Sequence, residues 1–251
     1  MTEKGKHVVK NLGTVFQSLK EYAKAKEYLE KDLVMKVEIG DRAGEATCYG
    51  KLGTVFQSLG EYVKVKEYLE KALVIKVETG HRAEEATCDG KLGTVFQSLG
   101  EYAKAKEYLE KELTIKMEIG DRAGEETCYG KLGTVFLSLG EYVKAREYLE
   151  KSLVINMESG DRDGEAPCYG NLGIVFKALG EYVKAKEYQE KSLAISTEIG
   201  DKEGEANSYG NLGTMFKSLG QYVKAKEFFK KALAIHMETG RRGGEVACYA
   251  N

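Results

Sequence analysis

Residues 41–80 read DRAGEATCYGKLGTVFQSLGEYVKVKEYLEKALVIKVETG, and residues 81–120 repeat them with nine changes in 40. A period this strict decides the architecture before composition does, because a repeated unit buries its apolar face against its neighbours. Followed outward, the frame gives six units, at about 2–40, 41–80, 81–120, 121–160, 161–200 and 201–240. It restarts at Arg241 as a partial seventh and stops at Asn251. No linker or low-complexity stretch interrupts it, so residues 1–251 read as a single array.

Each unit predicts two helices. In the first, Tyr49, Leu52, Val55, Phe56 and Leu59 recur at steps of three and four, which is an amphipathic helical stripe. In the second, Tyr62, Val65, Tyr68, Leu69, Leu73 and Val77 form the expected buried side. Gly60 and Gly80 stop the two helices where a left-handed residue costs least, and Asp41, Asp121, Asp161 and Asp201 stand where a carboxylate caps the next one. Glu67 and Lys71 make a favourable i,i+4 pair, and the arrangement recurs in every unit. With a stop followed at once by a cap, successive helices must pack antiparallel. The expected fold is all-α: a right-handed solenoid of stacked antiparallel pairs, thirteen helices with the terminal one. Gly13, Gly53, Gly93, Gly133, Gly173 and Gly213 sit inside first helices, where each costs about 1 kcal/mol against alanine. The expected reason is close approach of the second helix at Ala25, Val65, Ala105, Ala145, Ala185 and Ala225.

The order of an aromatic, Leu-Gly, a second aromatic, Gly-x-Tyr, a small residue and Ala-Leu resembles the tetratricopeptide repeat. In the second unit these are Tyr49, Leu52–Gly53, Phe56, Gly60 and Tyr62, Val65, and Ala72–Leu73. The period is 40 rather than that family's usual 34, and the usual proline after the second helix is missing. This long variant is similar to the repeats of Pins/LGN-type polarity adaptors and, more distantly, of kinesin light chains. The resemblance implies a non-enzymatic, cytoplasmic signalling scaffold whose concave groove holds an extended peptide.

Composition and motifs exclude much else. Lys and Arg number 38 against 40 Asp and Glu, a net charge of −2, which argues against a whole-chain polyanion binder. No apolar run approaches the roughly 18 residues of a membrane span, and the opening segment has no signal-peptide core. A reduced intracellular setting and no membrane partner follow as expectations. Cys48, Cys88, Cys128, Cys168 and Cys248 share one repeat position. Stacked repeats put equivalent points about 10 Å apart, too far for disulfides, so the thiols read as small seam-filling residues. His7, His81 and His236 fall at different positions with no metal-ligand spacing; His81, in the place of a capping Asp, reads as a surface residue. No nucleophile elbow or phosphate loop occurs. No catalytic residue, metal or cofactor is implied.

The face of the first helix turned from the core carries Thr47, Gly50, Lys51, Thr54, Gln57 and Ser58. Along the array the lysine column reads Asn11, Lys51, Lys91, Lys131, Asn171, Asn211; the threonine column includes Thr94 and Thr134; and the glutamine column reads Gln17, Gln57, Gln97, Leu137, Lys177, Lys217. Amides bond the main chain of an extended peptide and lysines select acidic side chains, whereas duplication alone would also copy lysines along a wet face. The groove lacks exposed aromatics for stacking, which argues against nucleic acid. Thr14 and Lys51 stand where a chaperone-tail clamp would carry asparagine. Two functions stay open: an adaptor for an extended acidic peptide, or a structural segment of a larger signalling protein or self-assembling solenoid with no dedicated ligand. The apolar residues Val246, Cys248 and Tyr249 suggest a fragment of a longer array or end-to-end pairing through the last helix. Asp89 replaces a tyrosine, Asp32 and Glu112 replace small residues, and Pro167 lies inside a first helix. Segments 85–115 and 162–170 should therefore open more readily than 50–80.

Overall fold

The computed structural model describes residues 3–240, with side chains from residue 11 onward. Twelve α-helices and no strand occur among the described residues: α1 (Glu3–Ser18), α2 (Tyr22–Glu38), α3 (Arg42–Ser58), α4 (Tyr62–Glu78), α5 (Arg82–Ser98), α6 (Tyr102–Glu118), α7 (Arg122–Ser138), α8 (Tyr142–Ser159), α9 (Arg162–Ala178), α10 (Tyr182–Ile199), α11 (Lys202–Ser218) and α12 (Tyr222–Glu238). Odd-numbered helices open each repeat and even-numbered helices close it. The expected thirteenth helix lies outside the described residues. Two compact units emerge, Met1–Asp121 and Arg122–Asn251. In the first, α1 packs on α2, α3 on α4 and α5 on α6, while α2–α3 and α4–α5 contacts join the pairs. In the second, α7 packs on α8, α9 on α10 and α11 on α12, joined through α8–α9 and α10–α11. Both are α-solenoid stacks of consecutive helix pairs.

The turns explain why the pairs fold back so tightly. After α3, Gly60 adopts φ +73°, Glu61 N–H donates to Phe56 O at 3.0 Å and Gly60 N–H to Gln57 O at 3.0 Å. That double bond is the Schellman closure, which satisfies the last carbonyls of the helix. Lys20 holds the same turn position after α1 with φ +59°, in the region L-residues enter at a cost. On the entry side, Asp41 Oδ1 accepts from Gly44 N–H at 2.8 Å and Asp161 Oδ1 from Gly164 N–H at 3.1 Å. His81 is exposed and caps nothing with its side chain; its Nδ1 lies 2.7 Å from Thr79 Oγ1. The exposed pairs Glu27–Lys31, Glu67–Lys71 and Glu187–Lys191 form as the spacing predicts.

Leu52, Val55 and Phe56 of α3 are buried against Val65, Leu69 and Ala72 of α4, and the α3 positions are buried again in α5, α7, α9 and α11, whereas Val15 of α1 is exposed. Phe56 stacks on Tyr68 with centroids 5.3 Å apart. Two sequence expectations fail. Leu59 is 43 % exposed and Val77 is 55 % exposed, while Ile75 and Lys76 are buried in their stead. Leu59 lies just past the last turn of α3, and the inward stripe of α4 runs 65, 69, 72, 75 and 76, which rotates Val77 outward. The helical glycines also meet a different neighbour. A Cβ on Gly53 would touch the Leu69 side chain at 3.2 Å, and one on Gly133 would lie 2.5 Å from Leu149. The glycine makes room for the leucine four residues beyond the small residue, and only the Val65 carbonyl approaches it, at 3.8 Å. Helix α9 runs unbroken through Pro167, which sits exposed near its start.

Candidate functional site

The outward face of the odd-numbered helices carries the residues singled out from sequence. Asn11, Gln57 and Lys217 are exposed, and Lys51, Thr54, Lys91, Thr94, Gln97, Lys131, Thr134, Asn171, Lys177 and Asn211 are half-exposed. The threonines turn back on their helices: Thr54 Oγ1 donates to Gly50 O at 3.1 Å, Thr94 Oγ1 to Gly90 O at 2.9 Å and Thr134 Oγ1 to Lys131 O at 2.7 Å. Their hydroxyls thus spend the donor internally and keep acceptor capacity for a ligand. Lys51 Nζ donates to Thr14 Oγ1 at 2.8 Å, crossing from α3 to α1. Asn211 Nδ2 donates to Gln189 Oε1 at 3.3 Å, and Gln189 Nε2 donates to Gly170 O at 2.6 Å. The lysine ladder therefore lies on the surface, whereas Asn211 is part of a chain that continues inward.

Two cavities open beside this face, each within one unit. In the first unit a cavity of about 300 Å³ is lined by Lys51 together with Lys36, Lys76, Asp32, Asp41 and Glu84, among others. Its charges are paired from within: Lys36 Nζ lies 2.7 Å from Asp41 Oδ2, and buried Lys76 contacts Glu84. The hydrogen bond to Asp41 is the main cause that holds the Lys36 ammonium above its ordinary pKa. In the second unit a cavity of about 430 Å³ brings Asn171 and Asn211 to Ser192, Ser196, Asp201 and Asn207. Sequence reasoning did not flag Lys36, Lys76, Ser192, Ser196 or Asn207. The available signal was polarity at a fixed column, Lys36, Lys76, Lys116, Asn156, Ser196 and His236, recurring beside an apolar stripe.

The described thiols are packed inside the helix pairs, and burial keeps those of Cys48, Cys88 and Cys168 protonated. Cys48, Cys88, Cys128 and Cys168 are free and buried. Burial, helped by the Asp32 carboxylate that accepts from Cys48 Sγ at 3.3 Å, pushes the Cys48 thiol up to about 12. Asp89 is buried, one of its oxygens finds no hydrogen-bond partner, and burial pushes its carboxyl up to about 6. Glu85 and Glu112 push it further up, and Lys111 and Arg82 oppose them. Each helix-start arginine among the described residues is clamped between two glutamates. Arg42 pairs with Glu45 at 3.0 Å and Glu78 at 2.6 Å, and Arg162 with Glu165 and Glu198 at 2.7 Å each. No group of three or more His, Cys, Asp or Glu side chains suited to a metal occurs among the described residues. No helix of the described residues is long and apolar enough to cross a membrane.

A model of the tetratricopeptide repeat family matches residues 7–76, 82–158, 137–198 and 164–238. No curated protein matches the chain. Among solved structures, BtubC (BKLC) from P. vanneervenii is similar with a TM-score of 0.71 at 18 % identity, covering 93 % of this chain and 92 % of that one. A putative kinesin light chain from Podosopora anserina with nearly identical TPR-like repeats gives 0.64 at 19 %, over 78 % and 95 %. A Rap protein complexed with competence and sporulation factor gives 0.63 at 15 %, over 95 % and 70 %. At these identities the likeness is one of fold.

Proposed function

Because this chain belongs to the tetratricopeptide repeat family, whose solenoids typically serve as protein–protein interaction scaffolds, we propose that it is a non-enzymatic adaptor for an extended acidic peptide. One observation carries the reading. One repeat column carries Asn11, Lys51, Lys91, Lys131, Asn171 and Asn211, and none of the six is buried on its own helix. Lysines at the centre of that column select carboxylates, and the amides at its ends bond main chain. The 40-residue unit fits a groove of the Pins/LGN type. The Rap protein seen complexed with competence and sporulation factor supports capture of a partner by this architecture.

The test is the affinity of a labelled peptide carrying Glu at every third position, measured by fluorescence anisotropy at low salt. Each exposed charge pair contributes up to about 1 kcal/mol, so Lys51→Glu, Lys91→Glu and Lys131→Glu together should weaken binding by roughly 100-fold. Helix content should be unchanged by circular dichroism. Equal affinity of the triple variant and the wild type would reject the acidic-peptide reading.

A further inference from the structure

The two cavities share one repeat segment, 32–51 in the first and 192–211 in the second, and only the first supplies its own ammonium groups there. Lys36 closes on Asp41 Oδ2 at 2.7 Å, and one repeat pair later Lys116 closes on Asp121 Oδ2 at 2.6 Å. In the second unit the same column holds Asn156 and Ser196, while the partner carboxylates Asp161 and Asp201 persist. Asn156 fills its place, donating to Glu126 Oε1 at 2.9 Å. Ser196 does not. It is fully buried, lines the 430 Å³ cavity, and its Oγ has no hydrogen-bond partner. A hydroxyl in that condition costs stability unless something completes it.

The charges point the same way. Asp201 accepts from Glu203 N–H through Oδ1, and no cation pairs with its side chain among the described residues. Asp163 and Asp201 line the cavity with no Lys, Arg or His among its described lining residues. Lys202, at the start of α11, is engaged by Glu205 at 2.9 Å. The spatial equivalence is close: a Cβ on Gly44 would meet Asp41 Oδ2 at 2.4 Å and the Lys36 Cδ at 2.7 Å, and one on Gly204 would meet Asp201 Oδ2 at 2.3 Å and Ser196 Oγ at 2.4 Å.

We propose that the cavity between α9, α10 and α11 receives a lysine side chain of the bound peptide, whose ammonium takes the place of the lysine missing at Ser196 and pairs with Asp201 and the Ser196 hydroxyl. This deepens the adaptor reading and rests on it for the source of the lysine, since it adds one basic residue to the otherwise acidic peptide of that reading. The site itself can be probed without a peptide.

The experiment is an amide-resolved NMR titration of the full chain with N-acetyl-lysine amide, N-acetyl-norleucine amide and putrescine. A single partly exposed ion pair predicts affinity on the order of millimolar or weaker, so concentrations up to about 100 mM are needed. The lysine amide should move the Ser196, Asp201 and Gly204 signals, and the norleucine amide should leave them still. Asp201→Asn should weaken the response at least about threefold. Ser196→Lys, which rebuilds the arrangement of Lys36 and Lys116, should abolish it while keeping the helix content. An equal response to norleucine amide, or an unchanged response in Ser196→Lys, would overturn the proposal, as would no response at these three amides. Putrescine binding more than about tenfold tighter than the lysine amide would assign the site to a free diamine and overturn it too. Loss of the lysine-ladder reading would leave all of these outcomes intact, so the two failures are distinguishable.

Discussion

The seams of the first unit are charged and those of the second are nearly neutral, although both rest on the same helix-pair scaffold. Asp32, Lys76, Asp89 and Glu112 are buried in the first; Ser152, Asn156, Gln189, Ser192, Ser196 and Ser208 are buried in the second. The one buried carboxylate among the described residues of the second, Glu165, is paired with Arg162 at 2.7 Å. The neutral groups bond to one another across helices: Ser192 Oγ donates to Ala166 O at 2.9 Å and Ser208 Oγ to Ser192 Oγ at 3.0 Å. Exchanging a charged column for a hydroxyl one leaves the turns and the apolar stripe in place. It changes how stability depends on pH, and it leaves room in the second unit that lysines fill in the first. A repeat can therefore diverge in its seam chemistry without diverging in fold.

The largest effect expected inside the fold is at Asp89. A carboxyl with a folded-state pKa near 6, above the ordinary value near 3.9, takes up a proton on folding. Its charged form opposes the fold fully above about pH 6, and the penalty fades as pH falls toward 4. Asp89→Asn should therefore raise stability by about 2–3 kcal/mol at pH 7.5. Its advantage over wild type should shrink to near zero by about pH 4. Denaturant unfolding at both pH values measures this, and a pH-independent difference would count against the buried charge. Hydrogen exchange at pH 7.5 should likewise show α5 opening faster than α3, with the gap closing in the variant.

A smaller change is expected at the neutral counterpart in the second unit. Gln189 stands where Leu29, Leu69, Leu109 and Leu149 stand elsewhere, but its amide is satisfied by Gly170 O and Asn211. Gln189→Leu gains apolar burial and loses two bonds, so the net gain should be about 1 kcal/mol with no pH dependence. A gain as large as that at Asp89 would erase the contrast between the units. Smallest is Lys20, the only non-glycine with positive φ among the described residues. Lys20→Gly relieves the left-handed strain but frees the unfolded chain, leaving about 0.5–1 kcal/mol of stabilisation in thermal unfolding.

Much of this architecture was legible in the sequence for physical reasons. Gly60, Gly80 and Asp41 act within a few residues of themselves, so their spacing alone announces stop, turn and cap. The Leu52–Phe56 and Val65–Leu69 stripes follow from helical periodicity. Val77 misled because a three-and-four rule does not fix the phase at a helix end, where Ile75 and Lys76 turn inward. The ladder Lys51, Lys91 and Lys131 was visible as a column, since equivalent positions share a face. The relation of Ser196 to Asp201 was hidden: it depends on where the next helix begins in space, and on a neighbour that is missing rather than present.

The central claim is that the lysine ladder reads an acidic peptide in register with the repeats. Equivalent points on stacked pairs recur about every 10 Å and an extended peptide rises about 3.3 Å per residue, so one repeat spans roughly three peptide residues. Affinities for peptides with Glu at every second, third or fourth position, at two salt concentrations, test this most directly. The account predicts tightest binding at period three, with weakening as salt rises. Equal affinity across the periods, or binding indifferent to salt, would contradict it.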